Sequence, residues 1–298
     1  MRETSSEANT PKNDHDDQIP FMKIDETDFG ALSRAEQIRH FEVEGYVVFP
    51  EILSAELIAR LKSELADAEM TNKSYSVNQT YALQEPQWIS RSAAELIAFP
   101  PMVDFLQALM GPDIVFTRGF FQRTHPGSPG IAMHTDGQPH GSDLFGYEGS
   151  CPRLLRVLYY LDDLAPERAP FRLLPRSHLS FHAEASPYVR YKWHPEEITL
   201  SVPAGSAVLI PALLFHGSHP NRSDRPRGLI QFGYRPAWAG PIKEVDEWDP
   251  KLVAQAPDVA KPFLQSLNTT GVEWEQPHKP KGMRTEAPGV NPSRWGDR

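Results

Sequence analysis

Between residues 33 and 110 the apolar positions recur at helical spacing, and from residue 113 they fall into short runs broken by proline and glycine. Ser33 followed three residues later by Glu36 predicts a capping box opening a short helix through Phe41. Gly45 ends it before the strand-like run Tyr46-Val47-Val48-Phe49. Ser54 predicts the cap of a longer helix with the stripe Leu57, Ile58, Leu61, Leu65 and Ala68, a packing face. A third helix is expected from Pro101 to Met110, stopped by Gly111-Pro112. Beyond it, β-type runs at 114–124, 154–161, 171–174, 197–202, 206–215 and 228–235 predict a barrel or sandwich. A glycine-rich loop over 137–152 between two such runs reads as a lid over a site. A helix is expected around Leu252 to Leu267, and an extended tail from Gln276. The organisation expected is a disordered tail over 1–30, a domain over 31–240 and a C-terminal extension over 241–298.

Composition narrows the function. In 298 residues, 40% are hydrophobic and 29 are proline, which suits turns and extended edges better than an all-helical fold. The formal net charge of −9, with no dense Lys/Arg run, speaks against a nucleic-acid partner. Cys151 is the single cysteine, so neither an internal disulfide nor a cysteine-based zinc cluster is available. No secretory leader pattern and no run of about 18 apolar residues is visible, so the expectation is a cytoplasmic protein without a membrane span.

A mononuclear iron site of the oxygenase kind needs two neutral imidazoles and one carboxylate on one face of the metal. A His-x-Asp pair on an extended backbone supplies two of them, because strand side chains alternate. Chance supplies roughly 0.6 such pairs in a chain of this composition, so context must choose. His15 and Asp17 lie in the acidic tail, and His182/Glu184 and His194/Glu196 lie in a connection with no alternating strand before them. His134-Thr135-Asp136 instead comes after Ile131-Ala132-Met133 at a strand end. The third ligand is expected at His216, where the apolar run from Ala207 stops.

The residues C-terminal to His216 carry a resemblance. Ser218 stands two positions after it and Arg227 eleven, and in both spacings the chain resembles the phytanoyl-CoA dioxygenase family of Fe(II)- and 2-oxoglutarate-dependent oxygenases. Phe41 to Pro50 with the Ser54 helix, Leu158 to Asp163, and Phe171 to His178 resemble further family segments, over about residues 38 to 236. Arg176 stands where the family's Pro-Gly-Ser-His turn usually has glycine, and His178 in that turn is read as a structural hydrogen-bonding residue.

The resemblance implies a mainly β, double-stranded β-helix (jelly-roll) core with flanking N-terminal helices. It implies iron held by His134, Asp136 and His216, with 2-oxoglutarate and O2 as cosubstrates. Succinate and CO2 are then released as a C–H bond of a small organic molecule or specialised metabolite is oxidised, hydroxylation being the default. Arg227 suits the far carboxylate of 2-oxoglutarate, since a guanidinium pairs bidentately with it, and Ser218 adds a hydroxyl; Arg222 and Arg225 fall in the polar turn. Phe120, Gln122, Gln138, His140 and Arg156 are candidate substrate contacts, though the strand register that would turn them inwards is open in the sequence. His125 and His219 also flank the site. Asp136 argues against a halogenase, which needs a small residue there. A non-catalytic metal-binding barrel or a zinc hydrolase would leave Ser218 and Arg227 unexplained. The expected partner is a small molecule, with no nucleic acid or membrane.

Overall fold

Ser33 and Glu36 make both reciprocal contacts of a capping box, and helix α1 (Arg34–Glu44) closes on Gly45 in the left-handed region at φ 88°. A Cβ on Gly45 would lie 2.5 Å from His178 Nδ1, so the glycine serves both the turn and the close approach behind it. This computed structural model describes residues 22–72, 80–136, 154–179, 193–241 and 243–270. After β1 (Val47–Phe49), Ser54 caps α2 (Ala55–Glu64) by accepting from the Leu57 N–H. β2 (Thr71–Asn72), β3 (Thr80–Gln84), α3 (Arg91–Leu96) and α4 (Pro100–Met110) come next. The remaining elements are β4 (Ile114–Thr124), β5 (Ile131–His134), β6 (Leu155–Tyr160), β7 (Phe171–Leu173), β8 (Ile198–Leu200), β9 (Ala207–Pro211), β10 (His216–Ser218), β11 (Arg227–Pro236) and α5 (Pro250–Gln255).

The strands form two antiparallel sheets, ordered β1-β9-β6-β11-β4-β3-β2 and β5-β10-β7-β8. From β4 onwards the chain passes back and forth between them, which is the double-stranded β-helix expected from the sequence. All six residues of β6 are buried, because helices cover its outer face and the barrel interior covers the other. On the outer face Tyr234 donates to Ile97 O at 3.0 Å, which ties the end of α3 to the larger sheet, and Phe116 meets Phe232 edge to face within that sheet. Residues 91–110 are apolar and long enough to cross a membrane by length and composition alone, but here they form two separate helices with Ala93, Leu96, Met102, Phe105 and Leu106 in the core.

Several expectations need correction. The run 206–215 is not one strand: β9 stops at Pro211, and a turn with Leu214 N–H donating to Pro211 O carries the chain into the other sheet, where β10 begins at His216. The helix expected over 252–267 is only α5 plus a short turn at Lys261–Phe263, because Pro257 and Pro262 interrupt it. The segment still packs on the core through Trp248, which stacks on Phe116. Order starts earlier than residue 31, since Ile24 bridges Thr199, Tyr46 donates to Asp25 at 2.9 Å, and Phe29 is buried. The rest of the expected tail over 1–21, the 137–152 lid and the tail from Gln276 lie outside the described residues. Arg176 adopts φ 65°, the conformation glycine favours, and is held there by its N–H on Glu44 O and its guanidinium on the Glu44 carboxylate. His178 lies 3.0 Å from Glu42 O, a structural contact as expected.

Behind the smaller sheet, His219 is buried with Nε2 2.9 Å from Thr199 Oγ1. Burial, with Arg172 and Arg222 adding repulsion, pushes this imidazole down to about 4. The neighbouring Glu197, paired with Arg172 at 3.3 Å, is pushed up by its own burial. A histidine depressed in the folded state gives stability that is full above its unfolded value of 6.5 and is lost as pH falls towards 4. The expected outcome in denaturant titrations is that His219→Gln removes on the order of 3 kcal/mol of the stability the wild type loses between pH 7.5 and 4. Identical pH slopes in the two proteins would contradict it.

Candidate metal and cosubstrate site

β5 and β10 are paired antiparallel with His134 directly opposite His216, so a ligand from each strand reaches the same face of the smaller sheet. The imidazole centroids are 4.5 Å apart. His134 Nδ1 lies 2.9 Å from Ala132 O and His216 Nδ1 lies 2.9 Å from Leu214 O, each two residues back along the chain. A carbonyl can only accept, so both Nδ1 atoms carry the proton and both Nε2 lone pairs are left to bind a metal. Asp136 joins them through its N–H, which donates to Ala212 O at 2.8 Å and fixes the chain just past β5. One donor atom from each of His134, Asp136 and His216 lies within 4.8 Å of the others. Two neutral imidazoles and one carboxylate fit ferrous iron of the facial-triad kind.

Partners around Asp136 divide its oxygens. Oδ2 accepts from Arg156 Nε at 2.9 Å and faces Gln231 Nε2 at 3.5 Å, while Oδ1 faces His134 Nε2 at 3.7 Å. Burial alone would raise this carboxyl, but Arg156, His216 and His134 outweigh it and hold the group well below the usual carboxylate range. Asp136 is thus ionised and aimed before any metal arrives. Arg156→Met should leave the ligands in place yet weaken Fe(II) affinity by about 10- to 100-fold, the usual cost of removing an outer partner of a metal ligand. An unchanged affinity in competition with a chelator would show that Arg156 does not orient Asp136.

Arg227, at the start of β11, is 2% exposed. Its Nη2 donates to Thr124 Oγ1 at 2.9 Å, and its guanidinium carbon sits 5.6 Å from the Tyr160 ring centroid. Its Nε has no hydrogen-bond partner among the described residues. A buried guanidinium with an idle donor fits a carboxylate ligand, since an unpaired donor in a buried site is costly. Ser218 Oγ accepts from the Ile131 N–H at 3.1 Å, so its own proton remains to be donated. By contrast the Arg222 and Arg225 side chains are exposed, as expected of turn residues.

Register decides the remaining candidates. β11 pairs Leu229 with Gln122 and Gln231 with Phe120, and pairs Gly233 with Arg156 of β6, so Phe120, Gln122 and Arg156 share the face that carries Arg227 and Gln231. Gln122 donates to Gln231 Oε1 at 3.3 Å. Arg156, read from sequence as a substrate contact, spends its Nε on Asp136. His125 instead meets the Tyr81 ring, His219 lies behind the sheet, and Gln138 and His140 fall outside the described residues. His194 accepts from the Glu196 N–H within its own loop and is not part of the cluster. Sequence reasoning missed Gln231, Thr124 and Tyr160. For Gln231 a signal existed, because it is a polar residue at even spacing from Arg227 in an otherwise apolar strand.

Against known proteins, the family profile described as Phytanoyl-CoA dioxygenase (PhyH) matches residues 41–229. No curated protein sequence matches the chain. Among solved structures, HygX from Streptomyces hygroscopicus with nickel, 2-oxoglutarate and hygromycin B bound is 20% identical, with 74% of this chain and 94% of that one covered and a TM-score of 0.60. The non-heme alpha ketoglutarate dependent carbocyclase SnoK from nogalamycin biosynthesis is 20% identical over 78% of this chain and 94% of its own, with a TM-score of 0.59. The epimerase SnoN, in complex with Fe3+, alpha ketoglutarate and nogalamycin RO, is 20% identical over 80% and 92%, with a TM-score of 0.58. At these identities the likeness is one of fold.

Proposed function

Because the chain belongs to the phytanoyl-CoA dioxygenase family of Fe(II)- and 2-oxoglutarate-dependent oxygenases, we propose that it oxidises, by hydroxylation in the default case, an unactivated C–H bond of a small organic molecule. The observation that carries this reading is the pairing of a His134, Asp136 and His216 cluster with a buried Arg227 whose Nε has no hydrogen-bond partner among the described residues, both facing the barrel interior. Bound iron supplies the activation of O2, coupled to conversion of 2-oxoglutarate to succinate and CO2.

The chain's own part is positioning. His134 and His216 present Nε2 because their Nδ1 protons are committed to backbone carbonyls. Arg156 keeps Asp136 ionised and turned, occupying Oδ2 so that Oδ1 is the free donor. Arg227 and Ser218 are assigned to the far carboxylate of 2-oxoglutarate, with Thr124 and Tyr160 steadying the guanidinium. Gln122 and Gln231 extend the polar wall between the two groups. Anaerobic addition of 2-oxoglutarate to the Fe(II)-loaded protein should give a metal-to-ligand charge-transfer band, and a metabolite panel should then reveal substrate-stimulated succinate formation. No band at saturating cosubstrate would remove the reading.

A further inference from the structure

Arg227 stands where β11 leaves one of its neighbours. On one side β11 follows β4, with Arg227 opposite Thr124. On the other, the pairing with β6 ends at Leu229 opposite Tyr160, and a backbone bond from Leu161 N–H to Gly228 O at 3.1 Å carries it one step further. Past that point side chains take over from the ladder. Asp162 Oδ2 accepts from the Gly228 N–H at 2.7 Å, and Arg168 donates to Pro226 O through Nε at 3.1 Å and also through Nη2. The two side chains are joined to each other, Arg168 Nη2 to Asp162 Oδ1 at 3.1 Å. Both peptide units that flank the Arg227 Cα are therefore held by a charged group, an anion on the N–H and a cation on the C=O.

This pair differs from a surface salt bridge. Arg168 is 8% exposed, and Ala169 beside it adopts φ 49°, a conformation that is costly for a residue with a Cβ, so the loop is bent to carry Arg168 over Pro226. Burial pushes the Arg227 guanidinium down; Tyr160 and Asp162 oppose this, and Arg168 adds to it. Burial also raises the Tyr160 hydroxyl and leaves it uncharged at neutral pH, so Asp162 supplies the negative charge that offsets Arg227. Lys62 reaches the same carboxylate, Nζ to Oδ1 at 2.7 Å, but from the solvent side, its side chain being 47% exposed.

Resting on the cosubstrate reading, we propose that Asp162 and Arg168 are positioning residues that clamp the backbone on both sides of Arg227 and so set the length of 2-oxo diacid accepted. They act through Arg227. Its guanidinium sits at the end of a long side chain, and a charge-assisted fork is strong only over a narrow range of distance and angle. With the Arg227 Cα held at both peptide units, the span from metal cluster to anchor suits 2-oxoglutarate and rejects an acid one methylene longer. Released from the clamp, the anchor can shift, and the longer acid is tolerated.

The test is anaerobic titration of the Fe(II)-loaded full chain with 2-oxoglutarate and with 2-oxoadipate, one methylene longer, read by the metal-to-ligand charge-transfer band. The wild type should prefer 2-oxoglutarate by at least about tenfold, the usual worth of one methylene. Arg168→Met should weaken 2-oxoglutarate by about tenfold and 2-oxoadipate by less than about twofold, so that the preference collapses, while Fe(II) affinity stays within about twofold. Arg168→Lys, with one ammonium in place of the fork, should restore part of the preference. Lys62→Met, which removes only the solvent-side partner, should leave both affinities within about twofold. Thermal melting checks that Arg168→Met is folded, and Asp162→Asn, equal in shape and uncharged, carries the same expectation if it is not. A folded variant that keeps the wild-type preference, even with both acids bound more weakly, overturns the clamp and leaves the cosubstrate reading intact. So does a wild type that binds the two acids equally. A wild type that shows no band with either acid overturns the cosubstrate reading, and the clamp with it.

Discussion

Alanine at His134, Asp136 or His216 should each weaken Fe(II) binding by more than about 100-fold, beyond the 10- to 100-fold typical of losing an outer partner, and turnover should vanish with it. The three variants are not expected to be equal in stability. His134 and His216 each release one backbone carbonyl when truncated, whereas Asp136→Ala strands the buried Arg156 guanidinium without its carboxylate. Breaking a buried pair from one side costs about 3–5 kcal/mol, so Asp136→Ala should show the lowest denaturation midpoint of the three in the metal-free state. His15→Ala serves as the control for the rival His-x-Asp pair. Stoichiometric iron in any of the triad variants, or its loss in the control, would contradict the assignment.

Arg227→Ala is expected to cost 2-oxoglutarate on the order of 2–5 kcal/mol, or very roughly 30-fold to several thousandfold in affinity, while Fe(II) affinity changes far less. The reason is local: the residue is buried, is not one of the three clustered ligands, and offers an Nε with no partner among the described residues beside the Nη2 already held by Thr124. Arg227→Lys keeps the charge but loses the planar fork, and should recover only part of the binding. Arg222→Ala and Arg225→Ala, both exposed, should be nearly silent. Titration of the charge-transfer band in the anaerobic Fe(II) protein measures all four. A silent Arg227→Ala would remove the carboxylate role.

Much of this site was legible one residue at a time. His134-x-Asp136 was separated from its decoys by what stands before it, an apolar run at a strand end, and His216, Ser218 and Arg227 by spacing within a recognisable pattern. Caps and breakers were equally local, which is why α1, α2 and α4 appear within a few residues of their expected limits. The six β-type runs marked strands, because period and residue type report how a segment meets a core.

The tertiary structure was needed for everything set by one strand lying beside another. The sequence shows no register, and a one-residue slip turns a whole strand inside out, so Phe120, Gln122 and Arg156 could be candidates only until β11 paired with β4 and β6. The crossing at Pro211 to Leu214, which moves His216 from the sheet of β9 into the sheet of β5, was hidden inside one continuous apolar run. Arg156 has the same one-letter identity whether it meets a substrate or Asp136. Only the pairing of β6 with β11, which sets Arg156 beside Gly233, aims its Nε at the carboxylate, because hydrogen-bond partners are chosen by distance in space and not along the chain.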